Sequence, residues 1–256
     1  MFGTQGRVFE HVLTHIERNF GGAYIDQAYA EFLLFPEEIP AQEDMPDFDT
    51  MFVPFLITGF VPDPKDENTQ EKWPTVSALA HWLEHGATKP DEADRRWAEA
   101  AGKSVMSLFR VDKTEPHRAL DLTDFISGAS YRVIDEMASA IVSPGQHMFG
   151  SVVTVDDATT LLAISPWVVP AEEVEPLTMW RNEAFADGLP DPADARDPFA
   201  FGLRELYLEF TGRLGEEDDD AIVGDGEDDG HQHDRDDDDD GPHDHDHGDD
   251  GEKSEK

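Results

Sequence analysis

Between Val105 and Val169 the chain breaks into short apolar runs, each closed within a few residues by a turn signal. The runs are Val105–Val111, Ala119–Leu122, Ser130–Ile134, Ser139–Val142, Met148–Val155 and Thr160–Val169. Asp112–Pro116, Ser127-Gly128, Pro144-Gly145 and Asp156-Asp157 punctuate them, and such punctuation reads as a succession of strands. Five or six strands this short predict a small, strongly curved antiparallel sheet or a partly open barrel. Pro170 ends it.

Helical spacing surrounds this region. Val8, Phe9, Val12, Leu13, Ile16 and Phe20 recur on one face, and Gly21-Gly22 stops that helix. A second helix is expected over Ala23–Leu34, then a proline- and acid-rich linker over Phe35–Asp49. Met51–Phe60 reads as β-leaning, with Pro54 arguing for an edge strand. After the polar stretch Pro62–Lys72, Thr75 is the expected cap of a helix that presents Val76, Leu79, Trp82 and Leu83 and ends at Gly86. Thr88 is the expected cap of the next, with Pro90 and Asp91 in its first turn and Trp97 as its anchor. Helices near Val174–Phe185 and Phe199–Leu214 close the body. The expected fold class is therefore α+β: a helical pair and linker over 1–49, a helix-plus-curved-sheet module over 50–170, closing helices over 171–215 and a tail over 216–256.

The tail differs in kind. In its 41 residues only Ala221, Ile222 and Val223 are clearly apolar, so it cannot bury enough surface to offset the entropy of ordering and is expected to be disordered. It carries 21 acids against Arg235, Lys253 and Lys256, yet the other 215 residues still hold 37 acids against 16 bases. Lysine is scarce in that body, five against eleven arginines. An acid-rich, lysine-poor surface suits a salt-adapted protein, because added salt screens its self-repulsion.

Cysteine is absent, which removes disulfides, thiolate catalysis and thiolate zinc sites. The N-terminus shows no basic region leading into an apolar stretch, and the longest apolar run, Met51–Val61, is too short to cross a bilayer. A cytoplasmic protein without membrane partners is expected.

The tail's histidines offer the densest ligand set: His231, His233, His243, His245 and His247, interleaved with Asp234, Asp244 and Asp246. Imidazole suits zinc, nickel or copper, and dense carboxylates also attract calcium and magnesium. A divalent metal is expected there, with none in the body. Against this stands a plain solubilising charged brush.

Three patterns in the body invite other chemistry. His81-Trp82-Leu83-Glu84-His85 reads H-x-x-E-H, in which histidines one turn apart hold zinc and the glutamate activates water. The pattern falls on the last turn of its helix and lacks a third ligand in context, so a polar face beside a Trp/Leu core is the simpler reading. His11 and His15, four apart and flanked by Glu10 and Glu17, make a similar weak pair. Arg110, Lys113, Arg118 and Arg132, near Phe109 and Tyr131, would suit a single strand of nucleic acid on the sheet. Five bases against eight acids from Lys103 to Pro170, and the field of the whole chain, oppose that reading. Neither Gly-x-Ser-x-Gly nor a Gly-rich phosphate loop is present.

From Trp73 to Pro170 the chain has two helical patterns followed by the runs S-V-M-S-L-F-R-V, L-D-L-T-D-F-I-S-G-A-S-Y-R-V, A-S-A-I-V-S-P-G-Q and F-G-S-V-V-T-V-D-D. This stretch resembles an uncharacterised bacterial family whose members are often labelled SEC-C motif-containing proteins. In that family a comparable D-L-x-T-G turn precedes a strand. A Ser-containing strand then leads to a Gly turn and an outgoing hairpin. The label comes from a Cys-rich zinc module at a chain end. No such ligand can be carried over to a chain without cysteine, and the Asp/His tail stands in that place. The resemblance implies no reaction. The expectation that follows is a non-enzymatic interaction or regulatory protein, with a protein partner and divalent cations as its associates. A metal-dependent hydrolase at His81, Glu84 and His85 and a nucleic-acid binder are the alternatives.

Overall fold

The computed structural model describes residues 2–34, 49–87, 89–185, 188 and 202–211. The Phe35–Asp49 linker (but for Asp49), the Thr88 cap, the Pro/Asp connector and the whole Asp/His tail lie outside the described residues.

Helix α1 (Phe2–Asn19) carries Val8, Val12, Ile16 and Phe20 in a fully buried row four residues apart, the spacing that keeps side chains on one face. Gly21, at φ 81°, turns the chain into α2 (Gly22–Phe32), which buries Tyr24, Ala28 and Phe32. Met51–Phe60 is not an edge strand. It forms α3 (Asp49–Pro54) and continues as a π-turn over Phe55–Gly59, where the Phe60 amide donates to the Phe55 carbonyl at 2.8 Å and Thr58 donates to the Pro54 carbonyl. The segment is apolar all round and buried on nearly every side, and such runs look alike as strand and helix. Helices α4 (Ala78–His85) and α5 (Glu92–Ala101) occupy the expected places. Their caps are Ser77 and Asp91, whose side chains accept the Ala80 and Asp94 amides, rather than Thr75 and Thr88.

The strands are β1 (Ser107–Glu115), β2 (Ala119–Asp124), β3 (Ser130–Ile134), β4 (His147–Val155) and β5 (Ala158–Val169). The expected strand Ser139–Val142 is instead a single helical turn, α6 (Ala138–Ile141), started by the Asp135 carboxylate accepting the Ala138 amide. The strands close into a barrel in the order β1-β2-β3-β5-β4, with β4 returning to β1. All pairs are antiparallel except β3 with β5, which meet parallel at Val133 and Thr159. The sheet is thus a fully closed, mixed barrel. Its strand order, with a helical turn between β3 and β4, is that of the OB-type Greek-key barrel, a fold that by itself assigns no function.

Phe109, Val111, Leu120, Leu122, Val133, Met148 and Leu161 fill the barrel, and Ala138 and Val142 of the α6 segment plug one end. Outside, the β1–β4–β5 wall carries Leu108, Phe149, Val153 and Leu162 into a second core shared with the helices. Two contacts show the fit: Phe149 meets Tyr207 of α8 (residues 203–211) edge to face, and α5 lies along β4. At the crossing of β4 and β5 a Cβ on Gly150 would sit 2.7 Å from the Ala163 carbonyl, so only glycine admits that approach. Helix α7 (Val174–Ala184) follows β5; its Arg181 guanidinium donates twice to the Ile126 carbonyl, at 3.0 and 3.1 Å, and lies over the Phe125 ring. Among the described residues no helix is long and apolar enough to cross a membrane.

Candidate functional site

The end of the barrel away from α6 is not plugged. There the starts of β1 and β3, the end of β2 and the end of β4 frame a cavity of about 940 Å³, roofed by the last turns of α5. Its walls are Met106, Phe109, Ile126, Tyr131, Val152 and Val155. Phe109 and Tyr131 meet edge to face at 6.0 Å, continuing the barrel's inner row. Alternation along β1 explains the floor: Ser107 and Phe109 face inward, while Leu108 faces the helices.

The rim is held rigidly. Ser104, just past α5, donates to the Val152 carbonyl at 2.7 Å and pins the roof to β4. The Asp124 carboxylate accepts the Ile126 and Ser127 amides at 2.8 and 2.9 Å, and Gly128 at φ 75° completes that turn. Around the opening Arg96 pairs with Asp156, and Glu99 with Arg95. Arg96, Asp156 and Glu99 are therefore matched within the protein, whereas the exposed Lys103, also on the rim, forms no ion pair among the described residues. One buried polar atom of the lining has no partner: the Ser107 hydroxyl, on a residue only 5% exposed, makes no hydrogen bond. A buried hydroxyl without a partner costs roughly 1–3 kcal/mol.

The outer barrel surface is built differently. Arg110, Lys113, Arg118 and Arg132 do gather there, but around carboxylates. Arg132 binds Glu115 at 2.7 Å and Asp121 at 2.8 Å, Lys113 and Arg118 approach Glu115, and Arg110 holds Asp112. Hydrogen bonding to Arg132 and Lys113 holds the Glu115 carboxyl below its ordinary range, and Thr123 and Arg110 do the same for Asp112. The neighbouring aromatics, Phe109 and Tyr131, turn into the barrel. The loops 116–118 and 156–157 at its two ends are tight turns. Little unmatched positive charge faces outward to release counterions from a phosphate backbone.

The two histidine pairs of the helices, separate in sequence, meet. His15 Nε2 and His81 Nδ1 lie 2.8 Å apart, and the Asn19 amide nitrogen reaches His15 Nδ1 at 3.0 Å. If Asn19 donates to Nδ1, the His15 proton sits on Nε2 and is donated to His81. His85 lies one turn on, its ring centre 4.6 Å from that of His81. Burial, then the neighbouring imidazoles, hold both His15 and His81 below the ordinary histidine pKa. His11 packs beside Trp82, with its Nδ1 buried and unpartnered. Glu84 and His85 are exposed and pair with each other at 3.4 Å. As the side chains stand, no three His, Cys, Asp or Glu among the described residues are arranged to hold a metal. His231, His233, His243, His245, His247, Asp234, Asp244 and Asp246 lie outside the described residues.

The barrel mouth was not marked in advance by any motif. The one signal for it was Ser107, a small polar residue at the head of the inward apolar row Phe109–Val111. Comparison with protein-family models, with curated proteins and with solved structures finds no match to this chain.

Proposed function

We propose that this chain is a non-enzymatic, cytoplasmic interaction protein that receives a small, uncharged, partly apolar ligand in the mouth of its barrel. The Asp/His tail serves it as a divalent-cation-binding appendage, in the position where the SEC-C-labelled family keeps its zinc module. The observation that carries the reading is the cavity with its unpartnered Ser107 hydroxyl. Its volume lies within the roughly 300–1,000 Å³ typical of small-molecule sites, and its make-up, apolar walls with few convergent polar groups, is theirs too. The apolar walls favour an uncharged guest, and at the mouth an ion would have to compete with Arg96–Asp156, with Lys103 left over on the rim for a polar end of the guest.

Nile red, an uncharged dye that brightens in apolar surroundings, tests the site on the full chain. Saturable, one-to-one enhancement is expected, lost in Val152→Trp, which fills the mouth, with the far-ultraviolet spectrum unchanged. Ser107→Ala removes the unpartnered hydroxyl and should make the free protein more stable, by about 1 kcal/mol. Equal dye binding by wild type and Val152→Trp would place the dye elsewhere, and a Ser107→Ala variant less stable than wild type would mean that the hydroxyl has a structural partner.

A further inference from the structure

We propose that His15, His81 and His85 form a seat for a borderline transition-metal ion such as Zn²⁺, which clamps α1 to α4. The carrying observation is spacing. The ring centres of His15 and His81 are 5.1 Å apart, and those of His81 and His85 are 4.6 Å apart. Two imidazoles on one tetrahedral zinc, with Zn–N near 2.0–2.1 Å, have ring centres about 5 Å apart. His81 therefore stands from each of the other two at about the separation a common ion would impose; what differs is where the nitrogens aim.

The missing convergence requires only side-chain rotations. His15 Nε2 and His81 Nδ1 face each other at 2.8 Å, and an ion bound by both takes the place of the shared proton once the two nitrogens part to about 3.3 Å, the separation that two Zn–N bonds at the tetrahedral angle set. The Asn19 amide nitrogen lies against both His15 Nδ1 and the His15 carbonyl, so freeing Nε2 as a ligand needs the Asn19 side chain to swing off, breaking its 2.8 Å bond to that carbonyl and leaving the Nδ1 proton to solvent. His85 has a side chain 59% exposed and is held only by Glu84, itself 75% exposed. Such a pair is weak enough for His85 to swing toward His81 at little cost. The backbone of α4 already supports this motion, because residues four apart share a helix face. Both inner imidazoles are biased toward the neutral form that a metal needs, so little proton competition arises at neutral pH.

The site is separate from the barrel mouth and does not depend on its ligand. The full chain, stripped of metal with a chelator, is melted with and without Zn²⁺, alongside full-length His81→Asn and His85→Ala. All three proteins share the same tail, so binding by its histidines contributes equally to each. Wild type is expected to gain roughly 5–10 °C in Tm at a hundredfold excess of free zinc over its Kd. His81→Asn should lose that gain, and His85→Ala most of it. No gain in wild type, or a gain that His85→Ala keeps in full, overturns the proposal. Because His85 is exposed and outside the core, its variant decides the matter even if His81→Asn does not fold.

Discussion

His15 shows how a residue that looks ordinary in sequence acquires a role from its partner. On α1 it is one of two histidines four apart, and on α4 His81 is one of another two. Both pairs were legible from spacing. Their meeting was not, because it depends on how α1 crosses α4, set by the Val12, Ile16, Leu79 and Trp82 core rather than by either pair. The consequence is a pH dependence whose sign can be worked out. Burial and neighbouring imidazoles depress the folded-state pKa of His15 and His81, and burial with Arg110 does so for His147. Below the unfolded value near 6.5, the unfolded chain takes up protons that these folded sites resist. Their contribution is therefore fully present above about pH 6.5 and is lost as pH falls through the depressed folded values. The Tm should decline as pH falls below about 6.5, and His81→Asn should flatten that decline. The carboxylates Asp112 and Glu115, whose folded pKa values are also lowered, act only in a more acid window. A wild-type Tm that is flat over the upper interval, measured calorimetrically at constant ionic strength, would contradict the assignment.

At the scale of elements, all five strands and every helix but α3 and α6 were readable because their periodicity matched their burial. Ser139–Val142 has strand-like composition but only four residues, and its Val142, with Ala138 just before it, is needed as a plug across the barrel end. Met51–Phe60 is buried on nearly all sides, so no polar face marks its period. The caps went astray for a different reason: Thr75 and Thr88 are sound candidates by residue type, but a cap is decided by which oxygen reaches the third amide on. Asp91 does so at 2.7 Å for Asp94, and that amide belongs to the residue whose carboxylate receives Arg7 from α1, also at 2.7 Å. The cap therefore steadies both the start of α5 and its joint to α1. Asp91→Ala should lower the unfolding free energy by about 1 kcal/mol, whereas Thr75→Ala, exposed and outside the cap, should change it by no more than about 0.5 kcal/mol. Chemical denaturation of the two variants beside wild type measures the contrast, and equal losses would mean that the α4 and α5 starts are not capped as described.

For the whole molecule, the class α+β with a small barrel followed from the strand spacing, but closure did not, since it rests on the single parallel contact of Val133 with Thr159. Charge acts at this scale too. The chain carries a net −39, and the 215 residues before the tail hold 37 acids against 16 bases. Folding concentrates those carboxylates, and the resulting repulsion opposes the compact state. Salt acts on two populations at once. It screens the excess acids from one another, and it weakens exposed pairs such as Arg132 with Glu115 and Arg110 with Asp112. The first effect is the larger. Exposed pairs are individually worth little, while the repulsion sums over every unmatched acid within reach, and the Debye length shrinks from about 10 Å at 0.1 M to about 3 Å at 1 M. The Tm of the full chain should therefore climb steadily with KCl across that range. Cutting the chain after Leu214 should leave most of the climb in place, because the body carries more than half of the net charge. A Tm that stays level or falls as KCl is added would show that the outer ion pairs outweigh the repulsion, and that the acidity serves solubility alone.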